Sequence, residues 1–158
     1  MKDREWEIRW SDSLRVCVPE IDEEHRQFIA RINELDTAIL NCEKKSTVGR
    51  LLDLIVMEAK RHFRHEQQLL VKWKYPDRAA HAARQTQISA DIDRVMKAFD
   101  QADVSFTWAL KGLYIKQLLV ENLLKEDIKY RDFLRTRQDS NPGRERSQRA
   151  GEVALLPS

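Results

Sequence analysis

His62 and Glu66 are two residue types that bind metal ions, and they stand four positions apart in the chain. Residues four apart in an α-helix lie one turn above each other, so both side chains leave the same face of the long helix predicted here. The other residues on that face are apolar, namely Leu52, Ile55, Ala59, Leu69 and Leu70. The pattern therefore predicts that a histidine and a glutamate point together into a hydrophobic core.

A buried carboxylate of this kind needs a positive partner, because an ionised group among aliphatic side chains is costly when unpaired. A metal cation supplies that charge, and imidazole with carboxylate is a common ligand set for iron, zinc or manganese. A hydrogen-bonded His–Glu pair without metal, or a helix face in contact with solvent, would give the same spacing. The neighbouring His65 lies off the centre of the apolar stripe, so we expect it on the flank of the helix or in solvent.

Apolar residues recur at helical spacing along most of the chain and predict four amphipathic helices. The helices cover about residues 19–40, 48–73, 77–99 and 105–137. Pro19 suits the start of the first helix, and Asp77 is a candidate N-cap of the third. Short connections between such helices favour an all-α fold, an antiparallel up-down four-helix bundle over residues 19–137. Residues 1–18 are predicted to form an arm anchored on the bundle by Trp10, and residues 138–158 a disordered tail.

Composition narrows the class of protein. The chain has 158 residues, which suits one domain with a sizeable core. Charged residues make up 34% of the chain and the net charge is only +2, which argues against a nucleic-acid partner or a membrane surface. No apolar run approaches membrane-spanning length, and the first residues do not form a signal peptide. Cys17 and Cys42 are predicted to lie more than about 30 Å apart, so two free thiols predict a reducing, cytoplasmic location.

Each predicted helix carries ionisable or amide residues on its apolar stripe. They are His25 in the first helix, His62 and Glu66 in the second, His81 and Gln85 in the third, and Asn122 and Asp127 in the fourth. One buried histidine is commonly a satisfied core residue, but three beside two carboxylates are hard to explain by packing. No Lys or Arg lies on the inner stripes to neutralise the two carboxylates. Asn122 and Asp127 stand about 140° apart on a regular helix, so we expect them to reach the centre from two edges of the stripe.

Several motifs in this order resemble the hemerythrin family. They are Trp10-Ser-Asp-Ser-Leu-Arg-Val, Ile21-Asp-Glu-Glu-His25, His62-Phe-x-x-Glu66, Tyr75-Pro76 with His81, and Asp127-Ile-Lys-Tyr130. The resemblance covers about residues 8–134. It implies an up-down four-helix bundle around a non-haem di-iron centre that binds dioxygen reversibly, with five histidines and two bridging carboxylates as ligands.

By position, the resemblance also implies which residues bind metal. His25 and His62 match the two histidines of the iron that binds oxygen. Glu66 and Asp127 match the bridging carboxylates, and His81 matches the first histidine of the other iron. Leu119 falls where the family has an apolar residue near the oxygen pocket.

Two positions depart from the family pattern. Gln85 stands where the third helix of the family has the second histidine of HxxxH, and Asn122 stands where the fourth has the histidine of HxxxxD. Both missing histidines belong to the same iron, which keeps one imidazole of three. Amide carbonyls are weak neutral donors for iron, so the resemblance implies one intact and one degenerate metal position.

The resemblance implies a protein that binds one or two non-haem iron ions, with oxygen binding, storage or sensing as the inherited role and dioxygen or a related small ligand as its partner. An enzyme that reduces oxygen or peroxide at a single non-haem iron is one alternative. A metal-free interaction bundle is another. Reversible binding in the family depends on two irons that share the electrons passed to oxygen, so we expect the degenerate position to weaken it.

Overall fold

The described chain consists of α-helices joined by short connections. The computed structural model describes residues 7–102 and 105–139, of which 105, 106, 123, 124, 138 and 139 are described by main chain alone. Within that part the helices are α1 (Pro19–Leu40), α2 (Lys45–Lys72), α3 (Arg78–Gln101), α4 (Ser105–Glu121) and α5 (Asp127–Asp139). A 3-10 turn over Asp12–Leu14 precedes α1. The first six residues of the predicted arm, and the predicted tail from residue 140 onward, lie outside the described residues.

The helices form a bundle whose fourth member is α4 continued by α5. Helix α1 packs chiefly on α2, α3 packs chiefly on α4, and α2 also contacts α3. The short connections 41–44 and 73–77 require consecutive helices to run in opposite directions. The all-α four-helix architecture predicted from the apolar periodicity is confirmed. Across the described ranges, no helix has both the length and the apolar composition that crossing a bilayer requires.

The start of α2 differs from the sequence prediction, whereas α1 has the predicted bounds. Helix α2 begins at Lys45 and not near Val48. The ammonium of Lys45 donates to the carbonyl oxygens of Asp100 (3.0 Å) and Ala102 (2.8 Å) at the end of α3. This contact holds the first turn of α2 against a neighbouring helix and stabilises a start that no capping side chain marks. Asp77 occupies the N-cap position of α3, as predicted, but its side chain makes no capping hydrogen bond.

A π-helical turn over Asn122–Glu126 interrupts the fourth helix, and the sequence did not predict it. The backbone N–H of Asp127 donates to the carbonyl of Asn122, five residues earlier. Such a bond widens one turn by a residue, so side chains five apart lie above each other. The predicted separation of about 140° between Asn122 and Asp127 is therefore wrong, because it assumed a regular α-helix. The wider turn brings both residues to the inner face.

Two apolar clusters fill the bundle, and the polar residues of the inner stripes lie between them. The larger cluster includes Phe28, Ile32, Leu35, Leu52, Ile55, Ile88, Ile92, Trp108 and Ile115. The smaller one includes Val16, Ile21, Leu70, Tyr75 and Tyr130. Along each helix the ionisable residues fall between the members of these clusters. A band of polar side chains therefore crosses an otherwise apolar interior.

The described part of the arm, residues 7–18, lies on α1. Ile8 and Trp10 pack against Leu14 and Ile29 in a third, small apolar cluster. The amide side chain of Asn33 both accepts from the backbone N–H of Ile8 (3.0 Å) and donates to its carbonyl (2.8 Å). These two bonds fix the arm along the helix that carries His25.

Candidate metal centre

Four of the five predicted ligands bring one donor atom each to a common point. His25, His62, Glu66 and Asp127 are all buried, and their donor atoms lie within 4.8 Å of one another. His25 Nε2 is 3.0 Å from Asp127 Oδ2 and 3.3 Å from His62 Nε2. His62 Nε2 is 2.8 Å from Glu66 Oε2. The four side chains come from α1, α2 and α5, so helix packing brings the group together.

The spacing of these atoms suits a single metal ion. Imidazole nitrogens and carboxylate oxygens bind such ions at about 2.0–2.2 Å, so ligands at right angles lie about 3 Å apart. Glu66 Oε2 and Asp127 Oδ2 are buried and have no hydrogen-bond partner among the described residues, although imidazoles lie beside them. Buried acceptors in this condition need a cation or a proton.

His81, the fifth predicted ligand, lies on the other side of the same two carboxylates. Its Nε2 is 2.8 Å from Glu66 Oε1 and 3.3 Å from Asp127 Oδ1. Each carboxylate therefore directs one oxygen toward His25 and His62 and the other oxygen toward His81. Glu66 and Asp127 thus lie between two candidate positions, one beside His25 and His62 and one beside His81.

Amide groups surround the position beside His81. Gln85 Nε2 donates to Glu66 Oε1 (3.2 Å), and Asn122 Nδ2 donates to Asp127 Oδ1 (3.3 Å). Gln67 Nε2 donates to Gln85 Oε1 (2.5 Å) and fixes that amide. Gln85 and Asn122 thus present N–H donors to the carboxylates, where an ion would require oxygen donors.

The pKa values of Asp127, His62 and His81 are shifted by their mutual contacts. Burial by itself raises the pKa of Asp127, but the imidazoles of His25, His62 and His81 hold it well below its usual value. Burial by itself lowers the pKa of His81, but hydrogen bonds and charge from Asp127 and Glu66 raise it to about 9. The same carboxylates, with Glu24, raise the pKa of His62 well above its usual value. The centre therefore needs positive charge, from an ion or from protons on its imidazoles.

Glu24, which was not among the predicted site residues, connects His62 to the protein surface. One carboxylate oxygen of Glu24 is 2.5 Å from His62 Nδ1, and the other is 2.7 Å from His65 Nδ1. Burial alone raises the pKa of Glu24, but the two histidines lower it below its usual value. The ionised carboxylate accepts the Nδ1 proton of His62, so an ion would bind this ring through Nε2. His65 lies on the flank of α2 with 32% of its side chain exposed.

A mostly apolar cavity of about 260 Å³ adjoins the centre. At its inner end lie His25, His62, Asp127 and Asn122. Its walls include Phe28, Ile29, Ile32, Phe63, Leu119 and Val120, and its outer end is formed by Ile8, Arg9, Ser11 and Leu14 of the arm. Leu119, which the resemblance places near an oxygen pocket, lines this cavity. The cavity leads from the candidate ligands toward the exposed side chains of Arg9 and Ser11.

Comparison with known proteins gives the family. The family model of the hemerythrin HHE cation-binding domain matches residues 18–134. A hemerythrin-like protein of Naegleria gruberi is 30% identical over 127 residues, which cover 80% of this chain and 93% of that protein. A bacteriohemerythrin of Stenotrophomonas maltophilia is 33% identical over 72 residues, 46% of each chain. Myohemerythrin-1 of Phascolopsis gouldii is 26% identical over 126 residues, which cover 79% of this chain and 92% of that protein. The resemblance seen in the motifs is confirmed: this chain belongs to the hemerythrin family.

Proposed function

We propose that this chain binds one non-haem iron ion tightly and uses it to bind or sense dioxygen. His25, His62, Glu66 and Asp127 would hold the ion, and the position beside His81 would stay without one or fill only weakly. The observation that carries the proposal is that the two oxygens of each carboxylate have different partners. Glu66 Oε2 and Asp127 Oδ2 face the imidazole nitrogens of His62 and His25 (2.8 and 3.0 Å). By contrast, Glu66 Oε1 and Asp127 Oδ1 accept hydrogen bonds from the side-chain amides of Gln85 and Asn122.

The amides of Gln85 and Asn122 act in place of a second ion. Each donates an N–H to a carboxylate oxygen that an ion would otherwise neutralise. Displacing these donors would cost two buried hydrogen bonds, and their carbonyl oxygens would return only weak neutral ligands. Together with His81, the two amides satisfy Glu66 Oε1 and Asp127 Oδ1. The two positions are therefore expected to differ strongly in affinity.

Dioxygen is the ligand that the surroundings of the first position favour. A ferrous ion held there would supply one electron toward a bound dioxygen. Phe28, Phe63 and Leu119 present apolar surface beside His25 and His62, which excludes water and admits a small uncharged gas. Glu24 holds the outer proton of His62 and so keeps the ring in the orientation that binding needs.

Metal titration tests the proposal. Apoprotein titrated anaerobically with ferrous iron should show one tight equivalent, and His62→Ala should abolish it. His81→Ala should leave the tight equivalent in place, because that side chain adjoins only the second position. Two equivalents of equal affinity would contradict the asymmetry. No uptake by a folded protein would leave a metal-free bundle as the better description.

A further inference from the structure

We infer that the cavity beside the metal centre binds a small, uncharged aromatic molecule that carries one hydrogen-bond donor, of the size of phenol. The inference rests on the proposed function only for the ion at the inner end, since the contacts that would hold the ring belong to the protein. It adds an organic ligand to a site for which dioxygen alone is otherwise expected.

The volume of the cavity points beyond a diatomic gas. A molecule the size of water has about 30 Å³ of liquid volume, and an apolar cavity of about 150 Å³ in another protein accommodates benzene. The cavity here measures about 260 Å³. A six-membered ring with one substituent therefore fits, with room for a diatomic molecule beside it. The side chains of Phe28, Ile29, Ile32 and Phe63 give the ring apolar contacts on several sides.

Asn122 supplies the polar contact that selects among such rings. Its side chain lines the cavity and is 3% exposed. The orientation of its amide follows from Asp127, whose ionised Oδ1 accepts from Nδ2 at 3.3 Å and would repel the oxygen of a reversed amide. Asn122 Oδ1 is left buried without a hydrogen-bond partner among the described residues. A ligand hydroxyl or N–H would satisfy it, and buried acceptors are rarely left unpaired.

The apolar lining disfavours anionic ligands of the same size. A benzoate-like carboxylate would lose its hydration among the apolar walls, and Asp127 at the inner end offers it no positive charge. The outer end reaches the exposed residues Arg9 and Ser11, so a neutral ligand can enter between the arm and the bundle. The chemical class that remains is a neutral phenol.

Titration of phenol and toluene into the protein tests the inference. The two probes differ in the hydroxyl but not in ring size, and binding is measured by calorimetry and by amide chemical shifts. Phenol should saturate one site with about tenfold higher affinity than toluene, the ratio that one hydrogen bond to a buried acceptor gives. Asn122→Leu should lower the affinity for phenol to about that for toluene.

Variants that fill the cavity check the location of the site. Val120→Phe and Ile29→Phe, from two different helices, should each abolish binding of both probes. Leu113→Phe adds the same ring to an exposed position of α4 and should change nothing. Unaltered affinity in either filled variant that folds would overturn the inference, as would a preference for phenol that survives Asn122→Leu. Absence of saturable binding to the wild-type protein would overturn it directly.

Measuring iron in the same samples separates this inference from the proposed function. Phenol binding by a protein that takes up no iron would support the cavity site and contradict the iron site. Iron uptake without phenol binding would support the iron site and contradict the cavity site. Phenol binding that requires iron and is unaffected by Asn122→Leu would assign the hydroxyl to the ion, and would overturn the role given to Asn122.

Discussion

Glu24 is the residue through which the proposed ligand His62 is connected to the surface. Its carboxylate accepts from both His62 and His65. Partners of this kind orient a ligand imidazole and raise its basicity, and their loss commonly costs 10–100-fold in metal affinity. Glu24→Gln should therefore weaken ferrous iron binding by about that factor, as measured by competition with a chelator. Glu23→Gln alters a neighbouring exposed carboxylate and should leave the affinity unchanged. Equal affinities in the two variants would remove Glu24 from the centre.

The raised pKa of His81 predicts a pH-dependent stability of the metal-free protein. Burial by itself would lower this pKa, but Asp127 and Glu66 together have the larger effect and raise it from 6.5 to about 9. Because the folded value lies above the unfolded one, the bound proton stabilises the fold fully below pH 6.5. That stabilisation is lost as the pH rises through about 9. Urea denaturation of apoprotein should accordingly show a falling free energy of unfolding over this range. His81→Leu should flatten the fall without removing it, since His62 is also protonated there.

The arm is the element that covers the outer end of the cavity, and Asn33 holds it. Asn33→Leu keeps the branched shape of the side chain but removes both hydrogen bonds to Ile8. At about 1 kcal/mol for each bond, the free energy of unfolding should fall by about 2 kcal/mol. Hydrogen exchange at residues 7–16 should also become faster. Gln27→Leu, at an exposed position of the same helix, should change neither quantity. An arm that stays protected in Asn33→Leu would show that the apolar contacts of Ile8 and Trp10 hold it alone.

Periodicity predicts helices well and departures from the α-helix badly. Helix α1 has the predicted bounds because its apolar stripe and Pro19 both mark them. The start of α2 was missed because the contact between Lys45 and the end of α3 joins residues far apart in sequence. The π turn at Asn122 was missed because a spacing of 3.6 residues was assumed throughout. The five-residue spacing of Asn122 and Asp127 on one apolar stripe was the signal that could have revealed it.

At the scale of the whole molecule, the sequence predicts those residues of the candidate site that lie on the apolar stripe of a helix. His25, His62, Glu66, His81 and Asp127 were all identifiable for that reason. Glu24 and Gln67 were not, because each stands one residue away from a stripe residue and acts across a helix interface. The cavity was not predictable either, since its shape depends on how the arm closes over α1 and α4.

The whole bundle should accept a second iron when both missing imidazoles are restored, Gln85→His together with Asn122→His. Each change replaces an amide that donates to a carboxylate with a ligand nitrogen, and Glu66 Oε1 and Asp127 Oδ1 are then free for an ion. The π turn already places residue 122 above Asp127. Iron content should rise toward two per chain, with a visible absorption on exposure to oxygen that disappears on degassing.

Matched variants decide what a positive or negative result means. Gln87→His with Gln117→His adds two imidazoles at exposed positions of α3 and α4, and should bind no second structural iron. The single changes at residues 85 and 122 should do less than the pair, because one amide would still occupy the second position. The double variant also requires Gln67 to turn its side-chain amide. In the present protein Gln67 Nε2 donates to Gln85 Oε1, whereas a histidine at position 85 would donate a ring N–H to Gln67 Oε1. Gln67→Ala in the double variant should therefore lower the second iron affinity. A folded double variant that gains no second iron would mean that the amides do not mark a former metal position, and that His81 has a structural role.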